Sequence, residues 1–302
     1  MVKTAAVVVT WNDTAHTAQC LRSLARSEIA VQAYVVDNAS SEDAGAALTQ
    51  ELPGVRVIRL DTNRGYGAGC NAGAEAALED GADEILFLNN DTELEPGAVG
   101  ALRREAALHP RAILGPAIVF AADPGRVWSA GGTVDRPWMV NRHVGQGERL
   151  EVHRQPRRVD WTTGCAMFVR AETYRRLGPF DESLFMYLED LDWCLRAAQV
   201  GIETRLVPDA VVRHEVSASA GRLGRPSVLY YGCRNTYRVA FRHASPARRL
   251  AMLPALTVTV ARVLARNAFW PTRRGDALYR ARTNAILDFI RGRTGPLLAA
   301  EP

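Results

Sequence analysis

The chain has 302 residues, 47% of them hydrophobic and 23% charged, with a formal net charge of +4. That composition is ordinary for a globular chain and allows a substantial core without cross-links. Cys20, Cys70, Cys165, Cys194 and Cys233 are scattered, odd in number and form no CxxC pair, which argues against a disulfide framework or a zinc knuckle and fits a reducing cytoplasm.

In chain order, positions 5–10 read as a buried strand, and no signal peptide is expected ahead of it. Positions 16–27 read as a helix with Cys20, Leu21 and Leu24 inward. A second strand at 33–36 ends in a polar turn over 37–43. Strands follow at 55–60 and 84–88, with an Ala-rich helix at 69–80 between them and another helix at 96–109. This β-α-β-α order predicts an α/β fold: a Rossmann-like, mostly parallel sheet with helices on both faces. From 112 to 161 the pattern loosens into short strands and Gly-rich turns. Helical periodicity returns at 171–177 and 189–199. Beyond Gly221 the chain reads as helical, broken at Pro246, Pro254, Pro271 and Gly275. The apolar run 250–261 is too short to span a bilayer and contains Pro254, so no transmembrane helix is predicted.

Charge divides the chain. From Gly221 onward fifteen Arg oppose Asp276, Asp288 and Glu301, giving +12 and leaving −8 for residues 1–220; Lys3 is the only lysine. A boundary near residue 220 follows. The basic tail suits a membrane surface, an anionic acceptor or nucleic acid, or else presents solvated helix faces in an arginine-rich chain. Arg248, Arg249, Arg262, Arg266, Arg273 and Arg274 lie among apolar residues, as an interfacial helix requires.

In open parallel sheets, ligands bind beyond the carboxyl ends of strands. Three polar clusters fall there: Thr10-Trp11-Asn12, Asp37-Asn38 and Asn89-Asn90-Asp91. A strand-end carboxylate such as Asp91 suits a hard cation shared with a diphosphate. The competing reading is a strand-terminating Asx-turn. In the stretch from Asn63 to Asn71, Gly65, Gly67 and Gly69 would let backbone approach a phosphate or ribose, or simply make a turn. Their GxGxG spacing departs from the dinucleotide fingerprint. In Glu189-Asp190-Leu191-Asp192, carboxylates open a helix. There they complement the dipole, or one serves as a general base. His214 closes an apolar run and is either structural or a neutral imidazole ligand.

The ordered set resembles the family 2 inverting glycosyltransferases, especially the rhamnosyltransferase-like branch. It comprises positions 7–12, 35–41, 63–67, 88–92, 163–165, 178–182, 187–192 and His214. After Gly221 only Tyr230-Tyr231 and Arg234-Asn235 match, and loosely. The resemblance implies a GT-A fold with a nucleotide-binding half at 1–110, an acceptor half at 111–220 and a basic helical region at 221–302. By motif it implies that Asp37 reads a pyrimidine edge. Thr10, Trp11, Asn12, Asn63, Gly65, Asn89, Asn90 and Gly164 would surround the nucleotide sugar. Asp91 and His214 would hold a divalent cation (Mg²⁺ or Mn²⁺), and Asp190, with Glu189 beside it, would be the base. One departure is that the acidic element reads Asn89-Asn90-Asp91, its first acid replaced by an amide.

The implied partners are a dTDP- or UDP-sugar donor and a glycan, lipid-linked or small-molecule acceptor. A homodimer and peripheral contact with the inner membrane face through the C-terminal helices are further expectations; nucleic acid is not. A sugar-phosphate nucleotidyltransferase is the alternative enzyme. It usually carries a Gly-rich basic loop after the first strand, and positions 10–14 contain neither Gly nor Lys. A non-catalytic carbohydrate- or membrane-binding protein is the other alternative, opposed by the retention of Asp91, Asp190 and His214.

Overall fold

A computed structural model describes residues 2–135, 140–216, 218–269 and 276–297. Its centre is β1, Thr4–Thr10, seven consecutive buried residues rich in valine. A strand covered on both faces is apolar throughout, and β1 runs parallel between β2, Val31–Asp37, and β4, Glu84–Asn89. β3, Arg56–Arg59, continues the parallel half beyond β2. Alternation sends Val7 and Val9 into one core, and Ala6 and Val8 into the other.

The first core is closed by α3, Tyr66–Glu79, and by Trp193 and Cys194 of α6, Glu189–Gln199. The second is closed by α1, Thr14–Ala25, α2, Gly45–Glu51, and α4, Ala98–Leu108. Beyond β4 the sheet turns antiparallel at β11, Ala166–Arg170. It continues through β6, Ile113–Phe120, to β12, Thr204–His214, and β10, Arg157–Val159. β5, Thr92–Leu94, pairs with the far end of β12. β7, Asp123–Ser129, pairs with β6, while β8, Gly132–Asp135, and β9, Val140–His143, form a separate hairpin. α5, Ala171–Leu177, completes the body. Sheet order reverses at β1, so a crevice opens beyond the carboxyl ends of β1, β2 and β4.

Three local expectations change. The segment 112–161 is not uniformly loose, because β6 is an eight-residue, mostly buried inner strand. Its Gly115-Pro116 pair disguised it. Pro116 lacks a donor and sits where the register against β12 shifts, between Val207 and Val211. α3 begins at Tyr66, ahead of the expected 69, so Gly67 and Gly69 are helical. Pro254 does not end a helix. α8, Pro246–Phe269, runs through it, and the carbonyl it frees belongs to Leu250, an exposed residue that water can reach.

α7, Ala218–His243, is kinked at Gly224 (φ 74°) and packs on α9, Ala277–Ile290. α9 is capped by Asp276, whose Oδ1 accepts from the Leu278 amide at 2.9 Å. No described residue of α8 is buried, and Leu250, Leu253 and Val258 are exposed. Pro271, Arg273, Arg274 and Gly275 lie outside the described residues, as does the side chain of Arg266. Among the described residues no helix is long and apolar enough to cross a membrane.

Candidate active site

The crevice is an open cleft of about 420 Å³. Its floor is the three strand ends that the sequence singled out. Thr10, Trp11, Asn38, Asn63, Asn89, Asn90, Asp91, Gly164, Glu189, Asp190 and His214 all line it. Asn12, Asp37 and Gly65 stand just behind that lining and are occupied by other contacts. Asp37 is buried, its Oδ1 accepting from the Ser40 amide at 2.9 Å and its Oδ2 from Arg59 at 2.6 Å. Asn12 adopts φ 53°, and its Oδ1 accepts from the Ser41 amide at 2.8 Å.

Strand pairing brings Asp91 and His214 together. β5 lies antiparallel on β12 with Thr92 opposite His214, and the Glu215 amide donates to the Asp91 carbonyl at 2.9 Å. Asp91 Oδ1 then stands 3.3 Å from His214 Nε2, both side chains almost fully buried. One carboxylate oxygen and one imidazole nitrogen are donors that a divalent cation accepts. The remaining positions of such an ion are commonly filled by substrate phosphate and water. Among the described residues no cluster of three or more His, Cys, Asp or Glu has ligand geometry. The pair therefore fits a cation only in company with other oxygen donors. The amide at Asn90 is used internally, donating to Asp13 Oδ2 at 2.9 Å and to Thr17 Oγ1 at 3.2 Å.

Across the cleft, α6 starts with Glu189 and Asp190. Asp190 Oδ2 accepts from the Gly164 amide at 2.7 Å, and the Tyr66 hydroxyl donates to the Gly164 carbonyl at 2.6 Å. Burial raises the affinity of Asp190 for a proton, against the opposing effect of the Gly164 and Leu191 amides. Glu189 is raised as well, first by burial and then by the charge of Asp190. Its Oε2 is buried and has no hydrogen-bond partner. One turn on, Asp192 is held down in pKa. Burial acts to raise it, but His243, Arg242 and Arg196 together outweigh that.

The glycines near α3 serve packing. A Cβ on Gly65 (φ 90°) would stand 2.0 Å from the Phe185 carbonyl oxygen, and one on Gly73 would stand 2.4 Å from Val7 Cγ1. The first lets the start of α3 meet the 184–188 loop; the second lets α3 lie on β1.

Several lining residues escaped the sequence reading. Asp13 caps α1 and receives Asn90. Trp128, His143 and Trp161 form an aromatic wall, with Trp128 meeting the His214 ring edge-on at 4.5 Å. They come from three short segments that carry no motif. The signal available was aromatic residues in a stretch of short strands and Gly-rich turns.

The chain and its fold have counterparts among known proteins. Residues 5–176 match the family described as glycosyl transferase family 2. The chain belongs to that family. It is a glycosyltransferase of the hexosyltransferase class, and its fold is GT-A. It is 32% identical over 241 residues, 72% of this chain and 77% of the other, to N-acetylglucosaminyl-diphospho-decaprenol L-rhamnosyltransferase of Mycobacterium tuberculosis. It is 24% identical over 269 residues, 86% of each chain, to a dTDP-rhamnosyl transferase of Shigella flexneri. Its backbone also superposes on the crystal structure of GalNAc-T7 with UDP, GalNAc and Mn²⁺, with a TM-score of 0.59 at 16% identity. That likeness spans 71% of this chain and 44% of the other.

Proposed function

We propose that this family 2 glycosyltransferase transfers a hexose with inversion from a pyrimidine nucleoside-diphosphate sugar to an acceptor hydroxyl, with rhamnose on dTDP the first candidate donor. The observation that carries the reading is the sharing of one cleft by Asp190 and the Asp91–His214 pair. The names of the mycobacterial and Shigella relatives favour rhamnose, and the second favours the thymidine carrier.

Asp190 takes the proton from the acceptor hydroxyl as its oxygen attacks the anomeric carbon. Its raised proton affinity makes it the stronger base. The bond from that carbon to the diphosphate oxygen breaks on the opposite face, so the anomeric configuration inverts. Thr10, Trp11, Asn63, Asn89, Asn90 and Gly164 line the donor's side, with Asn12, Asp37 and Gly65 supporting them from behind. Asp91 and His214 would hold Mg²⁺ or Mn²⁺. Such a cation supplies Lewis-acid stabilisation of the charge that builds on the departing diphosphate. Mn²⁺ in the GalNAc-T7 structure supports that choice.

Residues 1–220 form the transferase body in this proposal and 221–302 its basic helical extension. The exposed Leu250, Leu253 and Val258 of α8, beside Arg248, Arg249 and Arg262 and with no acidic residue on that helix, suit contact with an anionic membrane that carries the acceptor. Sedimentation with liposomes should depend on anionic lipid; binding indifferent to lipid charge would remove the membrane contact.

Calorimetry with dTDP and UDP, with and without Mn²⁺, tests the donor site. Binding strengthened by the cation is expected. Failure to bind either nucleotide under both conditions defeats the proposal.

A further inference from the structure

The loop that leads into α6 has unusual backbone. Phe185, Tyr187 and Leu188 all sit at positive φ, 64°, 67° and 71°. Each such non-glycine residue costs on the order of 1–3 kcal/mol and persists only where the surroundings hold it. Met186, Tyr187 and Leu188 line the cleft, and Glu189 and Asp190 follow directly.

What holds the loop comes from α7. Arg234 and Asn235 are both fully buried. Asn235 Nδ2 donates to the carbonyls of Leu184 at 2.9 Å, Met186 at 2.7 Å and Tyr187 at 2.9 Å. Three acceptors converge on one amide nitrogen, so its two hydrogens are fully used. Arg234 sets the orientation of that amide: its Nε donates to Asn235 Oδ1 at 3.0 Å, which turns Nδ2 toward the loop. Its Nη2 also reaches the Leu184 carbonyl at 2.9 Å. The guanidinium lies 5.2 Å and 5.3 Å from the ring centroids of Tyr230 and Tyr231, and Tyr231 stacks on Phe185 at 5.0 Å. From the opposite side, the Tyr66 amide donates to the Phe185 carbonyl at 2.8 Å. The loop is thus clamped between the start of α3 and the middle of α7.

We infer that Arg234 and Asn235 are positioning residues for Asp190, fixing the left-handed loop that sets where α6 begins. The inference rests on the assignment of Asp190 as the base. Neither residue lines the cleft. Their effect on the reaction runs through the loop, while the strand ends that face the nucleotide do not depend on them.

The test compares Asn235→Ala, the milder Asn235→Ser, which keeps one donor, and the control Thr236→Ala, whose hydroxyl bonds within its own helix to the Gly232 carbonyl. Transfer kinetics, nucleotide calorimetry and hydrogen exchange are measured on the full chain. In Asn235→Ala the turnover number should fall about 10²-fold, the loss expected from a displacement near 1 Å. Asn235→Ser should fall between it and wild type, and Thr236→Ala should match wild type. Nucleoside-diphosphate affinity should hold in all three, and faster exchange should be confined to amides of 184–190. Wild-type turnover in a folded Asn235→Ala, or exchange that rises across β1 and β4 as much as in the loop, would overturn the inference. If even the wild type transfers no sugar, the transferase reading fails by itself. The exchange data still decide whether Asn235 holds the loop.

Discussion

Gly164 and Asp190 are joined by a 2.7 Å hydrogen bond from the glycine amide to Oδ2 of the carboxylate. The sequence reading placed Gly164 beside the donor sugar. In the fold its amide is committed to the acid on the other wall, and its carbonyl to Tyr66. The two walls of the cleft therefore meet at the proposed base.

Replacing that carboxylate tests its role with little structural damage. In Asp190→Asn the side-chain oxygen can still accept from Gly164, so melting should stay near wild type. Turnover should fall by about 10²- to 10⁴-fold, the usual worth of a positioned general base. Steady-state kinetics beside a melting curve checks it, and near-wild-type turnover would end the assignment.

Loss of either proposed cation ligand should appear first as a demand for more cation. In Asp91→Asn and His214→Ala the Mn²⁺ concentration for half-maximal transfer should rise by at least the roughly 10- to 100-fold that loss of an outer-shell partner costs. A chelator should abolish wild-type transfer and added Mn²⁺ restore it. Titrations that superpose on wild type would move the cation elsewhere.

Glu189 makes stability depend on pH in a stated direction. Burial holds its proton affinity above the ordinary carboxylate value of 4.5. As pH rises past that value the unfolded chain loses the proton while the folded chain keeps it, so this residue's contribution to stability declines. Glu189→Gln removes that slope. Melting temperatures compared between about pH 5 and pH 8 should show the glutamine variant gaining on wild type as pH rises. A constant gap would mean that Glu189 is ionised in the fold.

Gly65 should tolerate nothing larger. Gly65→Ala adds strain at φ 90° to a methyl 2.0 Å from the Phe185 carbonyl oxygen. A loss of about 3 kcal/mol is expected, at the upper end of ordinary single substitutions. Urea unfolding measures it, and an unchanged midpoint would show that the loop yields.

Much of this was legible because β1, β2 and β4 are continuous apolar runs that stop at polar residues, and a parallel sheet places those stops together. The proposed roles of Asp91, Asp190 and His214 were suggested for the same reason: each lies at or next to the end of a regular element. What stayed hidden depends on distant pairing. β6 was disguised by Gly115-Pro116, whose backbone defect is absorbed by the shifted register of β12. The wall of Trp128, His143 and Trp161 assembles only when three weak segments fold together. The commitment of Asp37 to Arg59 needs the side-by-side pairing of β2 and β3, which no local pattern announces.

The central claim is inverting transfer from a pyrimidine nucleotide sugar, and product analysis tests it most directly. The protein, Mn²⁺, a panel of dTDP- and UDP-sugars and a hydroxyl acceptor are incubated, and nuclear magnetic resonance follows the anomeric carbon and the released nucleotide. The account predicts free nucleoside diphosphate and a product anomer opposite to the donor's, both lost in Asp190→Asn. Release of pyrophosphate, or a product that keeps the donor's configuration, would contradict it.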